Sequence, residues 1–544
     1  MLNLATLHEA IAAEIPEREC LVFRDRRLSW ADVTDRTRRL AEVLRRHGLG
    51  CHCERAGLAN WESGQDHVAL YLYNGNEYLE GMLGAFKART APFNVNYRYV
   101  DEELTYLFGN AQAKAVVYHA CFAPVLERIR EALPQVVLWL QVADESGEAL
   151  LPGAVDYEQA LADATPAPLP DDLSPDDLYI LYTGGTTGMP KGVLWRQEDI
   201  FRGALYAGEI TTVEAIVERA RFGGIRTLPT APFMHGAAHW AAFNMWHVGG
   251  TVVVQNDPKR LDPHDIWSTV EREKINAITI VGDAFGRPLV DQLRARDYDL
   301  SSLKLVTSGG AILTAALKQE FLDLLPEIRI LDALGSSESG AQAAQFSTKD
   351  SKPTTGDFSM SPGNVVLSED LTSILEAGSK EQGWLARSGS VPLGYYGDAE
   401  KTAKTFPVVD GVRYAVPGDR AGVAADGSLI LYGRDSVTIN TGGEKVFAEE
   451  VEHALKHHPD VYDAVVVPTP HERWGQQVTA VVRLREDATA DPDSLRAAAK
   501  EHIAAYKLPK VFVFVDEIVR SPSGKADYRW ARETALAELG AESS

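Results

Sequence analysis

Tyr182-Thr183-Gly184-Gly185-Thr186-Thr187-Gly188-Met189-Pro190-Lys191-Gly192 packs four glycines and three threonines around one proline and one lysine. An apolar run, Leu178-Tyr179-Ile180-Leu181, leads into it and reads as a strand. Glycines let backbone N–H groups approach a ligand and point inward, hydroxyls add donors, and the ammonium adds positive charge. A strand entering such a turn suits a polyphosphate. An ordinary exposed loop would need neither Pro190, nor the hydroxyls, nor Lys191. The usual P-loop sets Gly-Lys together and follows with Ser or Thr. Here Met189-Pro190 precede Lys191 and Gly192 follows it, so this is a phosphate turn of another kind.

The rest of the chain sets bounds on that reading. At 544 residues it exceeds one ordinary core and should divide into domains. Its 45% apolar and 24% charged content is that of a globular protein. No apolar run is long enough for a transmembrane helix. The segment Met1 to Glu9 lacks a basic stretch and carries an early acid, so no secretory signal is expected. Four cysteines are too few for a disulfide scaffold, and a reducing, cytoplasmic setting is expected. Cys51-His52-Cys53 is not expected to bind metal, because strand neighbours face opposite ways and no second Cys/His pair follows. A formal charge of −23 disfavours nucleic acid and anionic membranes. An anionic ligand must therefore meet locally gathered cations, which directs attention to Lys191, Arg434 and Lys525.

Along the chain, strands alternate with helices, which predicts a parallel α/β sheet. Ser29 is a good N-cap for a helix on which Trp30, Val33, Leu40, Val43 and Leu44 share a face, with Gly48 as its stop. Strands are expected at 68–72, 115–118, 251–254, 277–281 and 303–306, and helices at 76–89 and 123–133. After Arg434 the texture changes. A hairpin around Thr441-Gly442-Gly443, a helix from Glu449 to His457, a helix from Pro492 to Tyr506 and three strands form a small α+β unit. The expected division is 1–434 and 435–544.

The glycine-threonine turn, with further motifs downstream, resembles the signature of the adenylate-forming superfamily. That superfamily contains acyl-CoA synthetases, peptide-synthetase adenylation domains and luciferases. The resemblance spans about residues 5 to 535. It implies a large α/β domain, a small mobile α+β domain, and activation of a carboxylate by ATP. In the turn it implies phosphate contacts from Thr183, Gly184, Thr186, Thr187, Gly188 and Lys191, with Thr183 also near Mg²⁺. Leu334-Gly335-Ser336-Ser337-Glu338 resembles the Gly-x-Thr-Glu motif, with Ser337 in the Thr position and Glu338 as the Mg²⁺ ligand, a hard oxygen donor of the kind Mg²⁺ prefers. Read from residues alone, Glu338 sits on a strand-to-helix turn as a cap or surface charge. Ala333, Leu334 and Gly335, with Gly310 and Ala311 of the Ser308-Gly309-Gly310-Ala311 turn, are implied against adenine. Leu334 replaces the usual stacking aromatic, so apolar contact is expected instead.

Asp419 in Val416-Pro417-Gly418-Asp419 takes the place of the ribose-binding aspartate. Arg434 in Tyr432-Gly433-Arg434 takes that of the arginine on ribose and phosphate, where a fork of donors suits the oxygens. Two residues later, Ser436 stands where the hinge is usually Asp or Lys. Gly442 and Gly443 resemble the loop that leaves room for the pantetheine arm of coenzyme A. Lys525 in Arg520-Ser521-Pro522-Ser523-Gly524-Lys525 matches the lysine that bridges carboxylate and α-phosphate, stabilising transition-state charge. Ala231-Pro232-Phe233-Met234-His235-Gly236 resembles the acid-pocket motif with Phe and Met transposed. His235 orients the carboxylate, gates the tunnel, or is a satisfied buried histidine. Asp283 borders the acyl pocket or caps a helix. Further matches, among them Val193-Leu194-Trp195-Arg196-Gln197-Glu198-Asp199 and Lys525-Ala526-Asp527-Tyr528-Arg529-Trp530, look like bacterial long-chain and steroid side-chain acyl-CoA synthetases. The expected substrates are a small carboxylic acid, ATP and coenzyme A, with Mg²⁺. An amine or carrier protein is the alternative acyl acceptor, a homodimer is an open expectation, and residues 51–66 look like an insertion.

Overall fold

The computed structural model describes residues 2–185, 188–205, 212–351, 353–355, 357–441, 444–471, 474–521 and 524–542. The Ser29 prediction holds in detail. Ser29 and Asp32 form a reciprocal capping box, and the helix Trp30–Arg46 buries Trp30, Val33, Leu40, Val43 and Leu44. Helix Asn76–Lys87 is buried along its whole length because strands of two sheets pack on it. Its Glu80 would be an isolated buried charge, but Arg36 grips it through two bonds of 2.8 and 2.9 Å.

Of those two sheets, the first has five strands, with His67–Tyr71 between Ala91–Asn94 and Ala113–His119 and all neighbours parallel. The second sets Glu19–Phe23, Thr251–Val254, Arg226–Pro229, Ala277–Ile280, Leu305–Gly309 and Arg329–Ser336 side by side in parallel. Unbroken burial of Thr251–Val254 and Ala277–Ile280 fits strands covered on both faces. The sheet then turns antiparallel at Gly340–Ser347 and runs on into a β-rich lobe containing Asp419–Val423 and Leu429–Arg434.

A single 3₁₀ turn, Asp435–Val437, leads from that lobe into the small C-terminal domain. There the side chains alternate strictly. Val465, Val467 and Val481 pack with Ala531 and Ala535, whereas Val466, Ala480 and Val482 pack with Val451, Leu455 and Leu495.

Three expectations need correction. The helix foreseen at 123–133 ends at Ile129 and continues only as a 3₁₀ turn. The helix foreseen to Tyr506 ends at Lys500, because Ile503 must turn into the small domain's core. Glu338 does not lie on a strand-to-helix turn. Arg329–Ser336 doubles back directly into Gly340–Ser347, with Ser336 opposite Gly340. Gly340 has φ +69°, and a Cβ on Gly335 would fall 2.4 Å from the Gly340 carbonyl oxygen, so the reversal needs glycine at both places. No described helix is long and apolar enough to cross a membrane.

Candidate active site

The glycine-threonine stretch is the tip of a β-hairpin. Leu178–Gly185 pairs antiparallel with Gly188–Arg196, and Thr183 stands opposite Lys191. Directly opposed residues share a face, so the hydroxyl and the ammonium are neighbours. Asn94 anchors the hairpin to the first sheet, accepting from Tyr182 N at 2.7 Å and donating to Tyr182 O at 2.8 Å. Lys191 Nζ lies 2.5 Å from Asp398 Oδ2. Thr186 and Thr187 lie outside the described residues. Gly184 and Gly188 are in the paired strands.

The residues expected against adenine sit at the C-terminal ends of adjacent parallel strands, the usual place for a ligand in an open α/β sheet. Gly309 pairs with Ala333, which brings Gly310 and Ala311 beside Ala333, Leu334 and Gly335. Ser308 fixes the neighbouring turn by accepting Gly282 N at 3.1 Å. Leu334 packs against the cluster of Phe358, Val366 and Leu385, an apolar placement without an aromatic stack. Glu338 Oε1 accepts the Tyr395 hydroxyl at 3.0 Å, and Trp195 donates to the Ser337 carbonyl at 2.9 Å. Glu338 Oε2 keeps no donor among the described residues. A half-buried carboxylate with one oxygen tethered to Tyr395 and the other open is a hard oxygen donor that fits Mg²⁺.

Asp419 and Arg434 are opposed across two antiparallel strands, and Arg434 Nε donates to Asp419 Oδ1 at 3.2 Å. Asp419 first, and Glu338 and Glu449 after it, raise the Arg434 pKa above its ordinary value. Glu449, from the small domain, is crowded against this pair; burial, then Glu452 and Asp419, push its pKa up to about 7. Lys525 reaches the same cleft, and a Cβ on Gly310 would sit 3.9 Å from its Cε. Its surroundings desolvate it and Arg434 repels it, so its pKa falls despite the pull of Glu338, Asp419 and Glu449. His235 precedes the helix Gly236–Trp246, and its Nε2 has no hydrogen-bond partner among the described residues. Burial, then the nearby Lys525, lower its pKa to about 3. Burial and Lys525 thus favour the neutral imidazole, with Nε2 open among the described residues.

Thus Glu338, Asp419, Arg434, Lys525 and His235 come together from five separate stretches, with Gly310 below them. Gly442 and Gly443 lie outside the described residues, as does the Ser436 side chain. Asp283 caps no helix of its own and instead braces the next one. Its Oδ1 accepts Thr314 N at 2.9 Å and Thr314 Oγ1 at 3.2 Å, and Thr314 is the N-cap of Ala315–Leu324. Residues 51–66 buttress the wall that carries Tyr395 and Asp398, since Gly397 N donates to the Trp61 carbonyl at 2.8 Å. Sequence reasoning missed Tyr395, Asp398, Glu449 and Arg387. Arg387 Nη1 donates to the carbonyls of Gly203 and Ser339 at 3.0 and 2.9 Å, and also to that of Ala341, stapling the Glu338 turn in place. Asp398 also has a local signal, since it caps the helix Ala399–Thr405 through Lys401 N, but the contacts that bring the four to the site reach partners 15 to 207 residues away.

The model of the AMP-binding enzyme family matches residues 8–371, and that of the AMP-binding enzyme C-terminal domain matches 450–525. The chain is 53% identical over 535 residues to the medium-chain acyl-CoA ligase Mig of Mycobacterium avium, covering 97% of both. It is 40% identical over 548 residues to the 3-oxocholest-4-en-26-oate–CoA ligase of Rhodococcus rhodochrous, covering 98% of this chain and 96% of that one. Its fold is also that of the anthranilate CoA ligase AuaEII in complex with anthranoyl-AMP, with a TM-score of 0.82 and 22% identity over 99% of this chain and 98% of the other. The hairpin, the glycine-framed Glu338 turn and the C-terminal lysine loop are thus parts of one inherited architecture, and the chain belongs to the AMP-binding enzyme family, among its acyl-CoA ligases.

Proposed function

We propose that this protein activates a medium-chain carboxylic acid with ATP and passes the acyl group to coenzyme A, releasing pyrophosphate and AMP. The convergence of Lys525, Arg434, Asp419 and Glu338 on one cleft carries the reading. A carboxylate oxygen attacks the α-phosphorus, the bond to the β-phosphate oxygen breaks, and pyrophosphate leaves. The thiolate of coenzyme A then attacks the acyl carbon, and AMP leaves with the electron pair.

In this reading Lys525 bridges the carboxylate and the α-phosphate, holding charge where it builds up. Burial first, and then Arg434, lower its pKa, and an arriving anion offsets both. Thr183, Gly184, Thr186, Thr187, Gly188 and Lys191 hold the β- and γ-phosphates. Glu338 and Thr183 hold Mg²⁺, which when bound neutralises phosphate charge. Asp419 takes the ribose hydroxyls and Arg434 the ribose and phosphate oxygens. Gly310, Ala311, Ala333, Leu334, Gly335 and Ser337 frame the adenine. His235, neutral and unpartnered, offers an N–H to the substrate carboxylate. Gly442 and Gly443 leave room for the pantetheine arm, and the domains divide at 434/435.

The medium-chain assignment draws on the relative at 53% identity. The test is CoA-dependent AMP release across straight-chain, aromatic and steroid side-chain acids. The highest kcat/KM is expected for a medium-chain acid. AMP release that needs an amine and never coenzyme A would overturn the acceptor, and a preference for an aromatic or polycyclic acid would overturn the chain length.

A further inference from the structure

Lys525 is held over the Gly310 turn by an unusual circuit of charges. Within its own loop, Ser521 N donates to the Lys525 carbonyl at 2.9 Å, and Gly524 N to the Ser521 carbonyl at 2.8 Å. Arg520 ties this loop down by donating to the Gly524 carbonyl at 3.0 Å. The same guanidinium grips Asp463 through two bonds of 2.8 Å. Lys456 Nζ also approaches Asp463 Oδ1, at 3.1 Å, and lies 3.8 Å from Asp283 Oδ2. Asp283 belongs to the large domain, and its other oxygen accepts both donors of Thr314. Asp283 N in turn donates to the Ile312 carbonyl at 2.9 Å. Ile312 and Thr314 continue the Gly310-Ala311 turn over which Lys525 sits. The circuit therefore leaves that turn through Asp283, crosses to the small domain at Lys456, passes Asp463 and Arg520, and returns to the same turn at Lys525.

The charges alternate around it: Asp283, Lys456, Asp463, Arg520. The four side chains keep only 14 to 17% of their surface exposed, so solvent screens them weakly. Burial alone would raise Asp463's pKa, yet Lys456 and Arg520 hold it well below the usual carboxylate range. Burial alone would lower that of Lys456, yet Asp463 and then Asp283 raise it. Beside the circuit, Gly524 packs on the helix Gly282–Ala295, where a Cβ would stand 3.2 Å from Phe285 and 3.3 Å from Ala284. The lysine loop thus has no room to settle lower, and the ionic arm fixes its lateral position.

We propose that Asp283 and Lys456 are positioning residues for the adenylating step, a cross-domain pair that sets Lys525 over the Gly310 turn and contributes nothing to acyl transfer onto coenzyme A. This rests on the reading of Lys525 given above. The Asp283–Lys456 contact is the circuit's ionic link between the domains, whereas Lys456–Asp463–Arg520 lies within the small domain. Any arrangement that takes Lys525 off the turn must separate Asp283 from Lys456 and can leave the inner part whole.

Asp283→Asn is the sharpest test. An amide oxygen still accepts from Thr314, so the brace on the neighbouring helix survives while the charge facing Lys456 is lost. Pyrophosphate exchange should fall by about three- to tenfold, in kcat with KM for ATP little changed. Thioester formation from supplied acyl-AMP should stay at the wild-type rate. Lys456→Met should do the same or more, and the double variant should fall no further than Lys456→Met alone, because one contact has been removed twice. Equal loss of both half-reactions would mark a structural role and overturn the proposal, as would wild-type exchange in Asp283→Asn or multiplicative effects in the double variant. Wild-type protein with no pyrophosphate exchange on any acid would instead overturn the adenylating activity itself.

Discussion

Lys525 shows how a residue type acquires a role from its surroundings. A lysine near a chain end is ordinarily solvated, and nothing in its side chain marks it. Here a tight loop lifts it into a cleft already holding Arg434, Glu338, Asp419 and Glu449, and its pKa falls because of burial first and Arg434 second. Its partner in the cleft, His235, is a neutral imidazole with an unpartnered Nε2. Lys525→Ala should lower acyl-AMP formation from ATP by about 10²- to 10³-fold, the scale for losing a preorganised charge at a developing anion. Thioester formation from supplied acyl-AMP should be spared. Pyrophosphate exchange and single-turnover thioester assays measure the two separately, and equal losses would contradict the assigned role.

At the scale of elements, two strand reversals carry predictions. The first carries Glu338. Gly340 has φ +69°, and a Cβ there would meet the Gly203 carbonyl oxygen at 2.6 Å and Arg387 Nη1 at 3.0 Å. Gly340→Ala should therefore destabilise the protein by on the order of 2 kcal/mol. It should also loosen the staple by which Arg387 holds the Ser339 carbonyl, raising the Mg²⁺ concentration needed for half-maximal exchange. Thermal melts and a Mg²⁺ titration check both effects; an unchanged melting temperature would contradict the first. The second reversal joins Thr438–Thr441 to Glu444–Phe447. If its glycines leave space for the pantetheine arm, Gly443→Leu should make acyl-AMP normally yet form thioester slowly. Strain at the turn would instead slow both steps and lower the melting temperature together, and wild-type rates in both would reduce the loop to a plain connection.

Across the whole molecule, buried titratable groups set the response to acid. Burial lowers the pKa of His67, His119, His239, His247 and His453 to about 4, from an ordinary imidazole value of about 6.5. Between those limits the unfolded chain binds more protons than the folded one at each site, so stability rises with pH through that window. Glu77 and Glu449, raised from 4.5 to about 7 by burial, act in the opposite sense, since the folded chain there binds more protons. Asp177, Asp199, Asp291, Asp332 and Glu452 are also raised by burial but start from ordinary carboxyl values. Between about pH 7 and about pH 5 the histidines, whose window opens at about 6.5, are therefore expected to dominate, and the melting temperature to fall as pH drops through that range. Thermal melts across that range check it, and a rise on acidification would contradict the balance.

Local chemistry left much of this legible. The Gly/Thr turn, the Ser29 cap and the strand and helix runs of the large domain each act over a few residues, so the sequence states them directly. The fold class and the family followed from such signals. Contacts set by packing were another matter. Whether Glu338 lay before a helix or a strand depended on Gly340 meeting Gly203 and Arg387, residues 137 and 47 positions away. Tyr395, Asp398, Glu449 and Arg387 joined the site only because sheets and lobes closed around it. Asp283 read as a pocket wall or a helix cap, because its cation, Lys456, sits in the other domain. Short-range geometry is written into composition and spacing. Long-range electrostatics exist only once the chain has folded, because attraction between charges depends on the distance and the burial that folding alone creates.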